Sequence, residues 1–461
     1  MVFKRGICLI LCCFLLLVSL RFPCSADESQ DITVSSGCHS IDAALAVMGQ
    51  DRIIKNAKSV LVYETTSNTL MHTWNADEPM HPASLTKLMT ALLTLEKANM
   101  EDIVTVSEQA PKTISKGAIS IKLQAGEQIS VKDLFYALIV YSANDAAAVL
   151  AEHIGGTQQA FVQMMNDRAT ELGCTGTTFK NPHGLHHNEQ LMSARDTCRI
   201  LLEVLKYPVF RDAFGTIHYS IAATNMRDER YLSSNNYLMN TEDVGIHFDN
   251  RVTGGRSGIT EDGFRCLASV SKSGNMELIC IVMGSESAVA EDGVKIKSYG
   301  GFPETIELMN RVYSQYSAKQ IIYQDQVLFQ QAVLNGDSDV FIGSHSSFST
   351  VLPANVTNDD LSFRYVMAND ALQAPINQNQ PMGKLQIWYQ SVCVAQTDVY
   401  AMNKVPMAFQ KQLTIDTSRQ GLPWWAIVLI VLIALIATFI VVIVSMRYSA
   451  QKRYRAYKKR R

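Results

Sequence analysis

The sequence lacks an excess of charge of either sign and, beyond residue 24, lacks closely paired cysteines. Its 41 lysines and arginines nearly balance its 43 aspartates and glutamates, whereas nucleic-acid-binding proteins carry a basic surplus. The six cysteines beyond residue 24 are Cys38, Cys174, Cys198, Cys266, Cys280 and Cys393. None of these six shows the Cys-x-x-Cys spacing that is typical of zinc sites. We therefore expect no nucleic-acid partner, no metal and no other cofactor.

Three neighbouring histidines, His183, His186 and His187, do not change that expectation. Their spacing does not place two ligands on one face of a helix. We interpret residues 179–187 as a loop that leads to a helix opened by Ser193.

The N-terminus has the pattern of a secretory signal peptide. Lys4 and Arg5 precede the apolar run 6–20, and small residues precede Asp27, which predicts cleavage after Ala26. The predicted segments are therefore a signal peptide (1–26) and a polar leader (27–40). Cys24 leaves open a lipoprotein, although the Arg-Phe-Pro that precedes it is a poor context for lipidation.

The C-terminus has the pattern of a membrane anchor. Residues 424–446 are apolar and uncharged, which is long enough to cross a bilayer. The tail 447–461 is strongly basic, and the positive-inside rule places such tails in the cytoplasm. We therefore expect residues 27–423 on the outer side of that membrane. The alternative for the tail is a patch that binds nucleic acid or acidic lipid.

The first candidate catalytic motif is Ser84-x-x-Lys87, which opens the apolar run 88–97. Apolar residues recur there at helical spacing, and Pro82 suits the entry to a helix. The spacing places Lys87 one turn beyond Ser84 on the same helix face. A serine hydroxyl needs a base to act as a nucleophile, and a lysine that has lost its proton through burial can serve as one. Alone, the motif is more typical of an N-capping serine followed by an exposed lysine, so the catalytic interpretation depends on two partners downstream.

The second candidate is Ser142-x-Asn144, which interrupts two apolar helical runs, 131–141 and 146–154. The interruption predicts a loop between buried helices that presents both polar side chains. The alternative is that these short polar residues only cap the second helix.

The third candidate is the sequence Arg256-Ser257-Gly258 within a glycine-rich segment, residues 254–263. Strand-like runs follow it at 264–270 and 276–283. A cation, a hydroxyl and a glycine at the edge of a sheet can bind an extended peptide, with the cation holding a carboxylate. The alternative is an ordinary glycine-rich turn.

The remaining chain divides into two parts. Residues 59–64 and 69–72 predict a β-hairpin, which belongs with the three motifs to one domain, 41–317. Residues 318–408 show short strand-like runs between turns, which predict a separate β-rich domain, followed by a linker, 409–423.

The three motifs, in this order and spacing, resemble those of penicillin-binding proteins and class A β-lactamases. The surrounding segments 82–90, 181–185 and 194–196 resemble the low-molecular-weight penicillin-binding proteins that are D-alanyl-D-alanine carboxypeptidases. The resemblance covers about residues 40–316. It implies an α/β (α+β) domain with an antiparallel sheet flanked by helices, a C-terminal β domain and a C-terminal transmembrane helix.

The resemblance also implies a mechanism. Ser84 would attack the peptide bond between two D-alanines of a peptidoglycan stem peptide, with Lys87 as base. The backbone N–H groups of Ser84 and Ile259 would form an oxyanion hole. Ser142 would relay the proton to the leaving amine, and Asn144 would hold the substrate amide. The terminal carboxylate would be bound by Arg256, Ser257, Gly258 and Thr260. β-Lactam antibiotics would acylate the same serine.

The third motif departs from the family pattern, which is Lys-Thr-Gly. Arg256 keeps the charge and can grip a carboxylate through two N–H groups, but it cannot release a proton at neutral pH. We expect activity to survive, with Arg256 as a carboxylate clamp. The alternatives are an impaired relative that only binds peptidoglycan, and a β-lactamase, for which no deacylating glutamate is evident.

Overall fold

The computed structural model of the protein describes residues 47–241, 247–289, 296–368, 372–389, 392–408 and 423–458. The predicted signal peptide and polar leader lie outside the described residues, as does the predicted linker apart from Pro423.

The described residues contain eighteen strands and eight α-helices. The strands are β1 (Ser59–Glu64), β2 (Thr69–Trp74), β3 (Ile103–Thr105), β4 (Gln128–Ser130), β5 (His218–Ile221), β6 (Arg230–Ser233), β7 (Val252–Ile259), β8 (Arg265–Ser273), β9 (Met276–Ser285), β10 (Ala288–Val289), β11 (Ile296–Ser298), β12 (Tyr316–Ile322), β13 (Gln326–Gln331), β14 (Val340–Ser344), β15 (Phe348–Pro353), β16 (Leu361–Met367), β17 (Pro381–Tyr389) and β18 (Val392–Ala401). The helices are α1 (Lys87–Lys97), α2 (Val131–Tyr136), α3 (Asn144–Gly155), α4 (Gln158–Glu171), α5 (Ala194–Val204), α6 (Pro208–Gly215), α7 (Phe302–Gln315) and α8 (Trp424–Lys458).

A five-stranded antiparallel sheet forms the centre of the first domain, in the order β2-β1-β9-β8-β7. The predicted hairpin forms β1 and β2, and Asn68 in its turn has φ 53°, a left-handed conformation that asparagine tolerates. Strand β7, which carries the third motif, forms one edge of this sheet. Among the described strands, none pairs with β7 on the side away from β8.

The sheet buries both of its faces, and the alternation of side chains along a strand explains how. Leu61 and Tyr63 of β1 pack into a core shared with α1 to α5, whereas Val60 and Val62 pack into a second core shared with α7. Successive side chains of a strand point to opposite faces. A strand buried on both faces must therefore be apolar almost throughout, as β1 and β9 are.

Helices α1 and α3 position the first two motifs. Helix α1 is buried from Lys87 to Thr94, and it packs against α3, whose alanines 146, 147, 148 and 151 are buried. Small side chains allow two helices to approach closely. The predicted helix 131–141 is shorter than expected, because α2 ends at Tyr136 and a turn of π-helix, Ala137–Tyr141, follows it.

The second domain is built from strands, as expected. Its main sheet has the order β13-β14-β18-β17-β16, and β12 pairs with β15 beside it. Buried aliphatic side chains, among them Ile342, Leu385 and Val399, form its core. The expected architecture, an antiparallel sheet flanked by helices followed by a β-rich domain, is confirmed.

The C-terminal unit contains helix α8. Residues 424–453 of this helix are long and apolar enough to cross a membrane, which agrees with the predicted anchor at 424–446. Basic residues follow the apolar stretch within the same helix.

Candidate active site

Ser84 lies in a short 3-10 helix, Ala83–Thr86, that leads directly into α1. Pro82 precedes this turn, and Ala83 has φ 47°, a left-handed conformation that an alanine adopts only when its surroundings hold it there. Gly184 packs against the same turn, since a Cβ on Gly184 would lie 3.0 Å from Thr86 Oγ1 and would overlap the Ala83 carbonyl. The contact with Gly184 therefore holds the turn in place and with it the backbone of Ser84.

Lys87 is fully buried, and its side-chain nitrogen contacts three oxygen atoms. Its Nζ lies 2.5 Å from the carbonyl oxygen of His183, 2.8 Å from Asn144 Oδ1 and 3.2 Å from Ser84 Oγ. Burial lowers the pKa of Lys87 well below its usual value, the positive charge of Arg256 lowers it further, and Asp145 partly offsets both. Burial and the charge of Arg256 therefore both shift Lys87 towards its neutral form, beside a serine hydroxyl.

Ser142 and Asn144 come from the break between the π-helical turn and α3. Ser142 has φ 68°, and its Oγ donates a hydrogen bond of 3.0 Å to Ser84 Oγ. The backbone N–H and the Nδ2 group of Asn144 both donate to the carbonyl oxygen of Ile119, each at 2.9 Å. The side-chain amide of Asn144 thus joins Lys87 on one side to the loop that contains Ile119 on the other.

Strand β7 passes very close to Ser84. A Cβ on Gly258 would lie 2.5 Å from the backbone nitrogen of Ser84 and 2.9 Å from the Cβ of Ala83. Real side-chain carbons do not approach that closely, so the contact requires glycine at this position. It places the end of β7, at Ile259, beside the first turn that carries Ser84.

Arg256 is buried behind this strand and 1% exposed. Its Nη1 donates to the carbonyl oxygen of Ile139 at 2.5 Å, its Nη2 to Asn235 Oδ1 at 2.6 Å and its Nε to the carbonyl oxygen of Ser257 at 3.3 Å. Burial lowers the pKa of Arg256 to about 10, so it stays charged at neutral pH. The guanidinium ties β7 to the π-helical turn and brings a positive charge to the site.

Ser257 and Thr260 differ in what their hydroxyl groups contact. Ser257 is 1% exposed, and its Oγ has no hydrogen-bond partner among the described residues. Thr260 lies past the end of β7, and its Oγ1 bonds to the backbone N–H and carbonyl of Phe264 within a turn. The structure therefore brings together Ser84, Lys87, Ser142 and Asn144, with Gly258 against Ser84 and Arg256 behind the strand. Ser257 lies on β7 between these last two residues, and Thr260 is engaged in the turn beyond.

Two further residues support the cluster but received no role from the sequence. His183 supplies the carbonyl that holds Lys87, and burial lowers the pKa of its ring to about 3, with the neighbouring Lys87 contributing to the shift. Asp145, 2% exposed, accepts hydrogen bonds from Ser120 Oγ and from the backbone N–H groups of Ile121 and Leu123. The signal for Asp145 was present in the sequence, as an acidic residue directly after the Ser-x-Asn triplet at the start of a helix.

Comparisons with known proteins agree on both domains. Residues 47–287 match the family described as D-alanyl-D-alanine carboxypeptidase, and residues 316–407 match the penicillin-binding protein 5 C-terminal domain. The D-alanyl-D-alanine carboxypeptidase DacF of Bacillus subtilis is 29% identical over 357 residues, 76% of this chain and 86% of that protein. DacC of Escherichia coli, of the same name, is 29% identical over 364 residues, 76% of this chain and 84% of that protein.

Solved structures of penicillin-binding proteins resemble this chain in fold. Penicillin binding protein 5 from Haemophilus influenzae is 26% identical with a TM-score of 0.64, and the match covers 78% of this chain and all of that one. The PBP3 peptidoglycan synthesis regulatory factor of Streptococcus pneumoniae, 20% identical with a TM-score of 0.61 over 77% of this chain and all of that one, shares the fold.

Proposed function

Because this chain belongs to the D-alanyl-D-alanine carboxypeptidase family, which confirms the resemblance drawn from its motifs, we propose that it removes the terminal D-alanine from peptidoglycan stem pentapeptides through an acyl-enzyme on Ser84. The observation that carries the proposal is the position of a buried Lys87 Nζ 3.2 Å from Ser84 Oγ. Ser142 Oγ lies 3.0 Å from the same oxygen.

Acylation begins with neutral Lys87. A neutral amine has two N–H groups and one lone pair, and Lys87 Nζ has three oxygen neighbours. The two N–H groups are donated to the carbonyl oxygen of His183 and to Asn144 Oδ1, so the lone pair faces the Ser84 hydroxyl. Lys87 takes the Ser84 proton as Ser84 Oγ bonds to the substrate carbonyl carbon.

The negative charge that develops on the substrate carbonyl oxygen is stabilised by the backbone N–H groups of Ser84 and Ile259. The close approach of Gly258 to the Ser84 nitrogen supports this pair. The first N–H groups of a helix have no partner within that helix, and they act as preorganised donors to a developing oxyanion.

The leaving D-alanine takes a proton and departs with its carboxylate. Ser142 Oγ and Lys87 Nζ both lie beside Ser84 Oγ. Ser142 gives its own proton to the leaving nitrogen and takes the proton that Lys87 carries. The unpartnered hydroxyl of Ser257 donates to the carboxylate, and Arg256 adds attraction from behind the strand. Its guanidinium is occupied by protein oxygens, so we replace the expected two-point grip with this longer-range role. Asn144 orients Lys87, and we assign its second Nδ2 hydrogen to the substrate amide.

Water completes the cycle. Lys87, neutral again once the leaving amine has its proton, accepts a proton from a water molecule that attacks the ester on Ser84. The ester bond to Ser84 Oγ breaks, Ser84 regains its proton and the shortened stem peptide leaves. A β-lactam ring, whose amide carbonyl resembles the scissile bond, would form an ester with the same oxygen.

We further propose that α8 anchors the enzyme in a bacterial cytoplasmic membrane. The basic residues after the apolar stretch would lie in the cytoplasm, with the active site outside, where peptidoglycan is found. The distribution of positive charge supports this orientation.

The test is the release of D-alanine from a pentapeptide that ends in D-Ala-D-Ala, with the full chain in detergent and a Ser84→Ala control. We expect release by the wild type only, together with covalent labelling of the wild type by a fluorescent penicillin. Peptide binding without release would instead indicate an impaired relative. Rapid hydrolysis of nitrocefin without carboxypeptidase activity would indicate a β-lactamase.

A further inference from the structure

The loop 119–127, which leads into β4, holds the side chain of Asn144. The carbonyl oxygen of Ile119 accepts hydrogen bonds from the backbone N–H and from the Nδ2 group of Asn144, each at 2.9 Å. The other end of the same amide, Asn144 Oδ1, lies 2.8 Å from Lys87 Nζ. The position of the loop therefore determines where this amide points, and with it one of the hydrogen-bond acceptors of Lys87.

Arg230, the first residue of β6, binds this loop through its guanidinium. Its Nη1 donates to the carbonyl oxygen of Ile121 at 3.2 Å, and its Nη2 pairs with the carboxylate of Glu127. The side chain of Glu127 is fully buried and that of Arg230 is 10% exposed, so salt and water screen the pair only weakly. Glu127 Oε2 also accepts the backbone N–H of Gln124 at 3.1 Å. The buried ion pair therefore joins β6 to the loop at more than one point.

The hairpin that carries Arg230 is itself attached to α2. Strands β5 and β6 pair only with each other among the described strands. Tyr219 of β5 stacks on Tyr136 of α2, with the ring centroids 4.2 Å apart, and its hydroxyl donates to Asp133 Oδ1 at 2.8 Å. In the turn of the hairpin, Thr224 Oγ1 donates to Glu127 Oε1 at 3.0 Å. The hairpin therefore connects the loop 119–127 to a buried helix.

The segment that begins with β6 reaches the active site a second time. Asn235 follows β6 by two residues, and its Oδ1 accepts a hydrogen bond of 2.6 Å from Arg256 Nη2. Arg256 is the cation whose charge lowers the pKa of Lys87. One short segment thus contacts Arg256 directly and reaches Asn144 through the loop.

We propose that Arg230 positions the Asn144 amide by holding the loop 119–127. Arg230 is a positioning residue, because it acts through the loop and has no contact with the reacting atoms. The inference rests on the proposed function, since it concerns how the same serine is activated. Without Arg230 the loop is free to move and the amide turns with it. Lys87 then loses an acceptor that directs its lone pair towards Ser84, and acylation slows.

The test measures acylation of the full chain in detergent by a fluorescent penicillin, together with kcat/KM for D-alanine release. We expect Arg230→Gln to lower both rates by about tenfold, less than the roughly 100-fold that a displacement of about 1 Å costs. Arg227→Gln is the matched control, because it removes an arginine from the turn of the same hairpin. Among the described hydrogen bonds, Arg227 takes part only through its backbone. Its rates should equal those of the wild type.

A double-mutant cycle with Asn144→Ala separates positioning from a general loss of structure. If Arg230 acts through Asn144, Arg230→Gln should change the rates of the Asn144→Ala protein by less than about twofold, because the amide that it positions is absent. A general structural role would lower the rates equally in both backgrounds. Equal effects in the two backgrounds, or unaltered rates for Arg230→Gln, would overturn the inference.

A second variant guards against misfolding. Arg230→Gln leaves the carboxylate of Glu127 buried and unpaired, which can destabilise a protein strongly. The double variant Glu127→Gln/Arg230→Met leaves neither charge unpaired, and replacing a buried ion pair by uncharged groups is often tolerated. It still removes the donor to the carbonyl of Ile121, so we expect the same loss of about tenfold in a protein that melts as the wild type does. Wild-type rates in this variant would refute the inference.

Hydrogen–deuterium exchange separates this inference from the proposed function, because it needs no chemistry. In full-length Ser84→Ala protein, we expect Arg230→Gln, but not Arg227→Gln, to speed exchange about tenfold in the peptides that contain Ile121 and Asn144. If the wild type neither releases D-alanine nor reacts with penicillin, the proposed function fails, and exchange alone decides whether Arg230 holds Asn144. Unchanged exchange at Asn144 would refute the inference, whatever the kinetics show.

Discussion

The contact between Gly258 and Ser84 leads to the sharpest prediction, which is that Gly258→Ala inactivates a protein that still folds. The added Cβ would lie 2.5 Å from the Ser84 nitrogen, where ordinary contact begins at 3.4 Å. Either β7 or the serine turn must therefore move by about 0.9 Å. The turn cannot yield by a side-chain rotation, because the atom in the way belongs to the backbone.

A displacement of that size affects every step that uses Ser84. A misplacement of about 1 Å costs about 100-fold in rate, and here it also separates the two N–H groups proposed for the oxyanion hole. We expect kcat/KM for D-alanine release, and the rate of acylation by a fluorescent penicillin, to fall by about 100-fold.

Gly173→Ala is the control, because Gly173 has φ 74° and no described atom within 4 Å of its added Cβ. Its backbone strain should cost about 1–2 kcal/mol and leave both rates unchanged. Thermal melting of both variants shows whether each folds. A folded Gly258→Ala protein with rates within about threefold of the wild type would refute the reasoning.

Three further predictions concern Arg256, Asp145 and Ser257. Arg256→Gln removes a positive charge that lowers the pKa of Lys87. The acidic limb of the pH profile of kcat/KM should therefore move to higher pH, whereas Arg256→Lys should leave the limb where it is in the wild type. Identical limbs for the wild type and Arg256→Gln would contradict this. Asp145→Asn should move the same limb to lower pH, because Asp145 raises the pKa of Lys87. The backbone N–H of Leu123 also loses the carboxylate oxygen that accepts its hydrogen bond, which should lower the free energy of urea unfolding by about 1–3 kcal/mol. A limb that moves to higher pH would show that Asp145 does not raise this pKa. Ser257→Ala should change the free energy of unfolding by less than about 1 kcal/mol, since the Ser257 hydroxyl has no described partner. It should nevertheless lower kcat/KM by about tenfold or more, because the hydrogen bond to the substrate carboxylate is lost. Unaltered peptide kinetics would rule out the proposed contact with the carboxylate.

Local patterns predicted the elements around the site but not all of their ends. The apolar run 88–97 predicted helix α1, and the break at Ser142 predicted a loop between helices. The second helix begins at Asn144, two residues before the predicted start. The early start follows from contacts distant in sequence, since the Asn144 amide is held between Lys87 and the carbonyl of Ile119.

Arg256 shows where sequence reasoning reached its limit. Its charge and its strand were predicted correctly, but its burial was not, because the carbonyl of Ile139 and the amide of Asn235 that receive it lie 117 and 21 residues away. A cation at a strand edge was expected to reach outward to a substrate. The packing of the π-helical turn against β7 directs it inward.

The sequence by itself determined the chemical groups, their order and the elements that carry them, because apolar periodicity and helix-entry signals are local properties of the chain. It also determined the apolar helix that is long enough to cross a membrane, since length and the absence of charge suffice to define an apolar span. The tertiary structure alone lowers the pKa of Lys87, because that shift depends on burial and on the charge of Arg256 on β7, partly offset by Asp145 on α3. It also decided why position 258 must be glycine, since that requirement arises only where a strand and a helix turn meet.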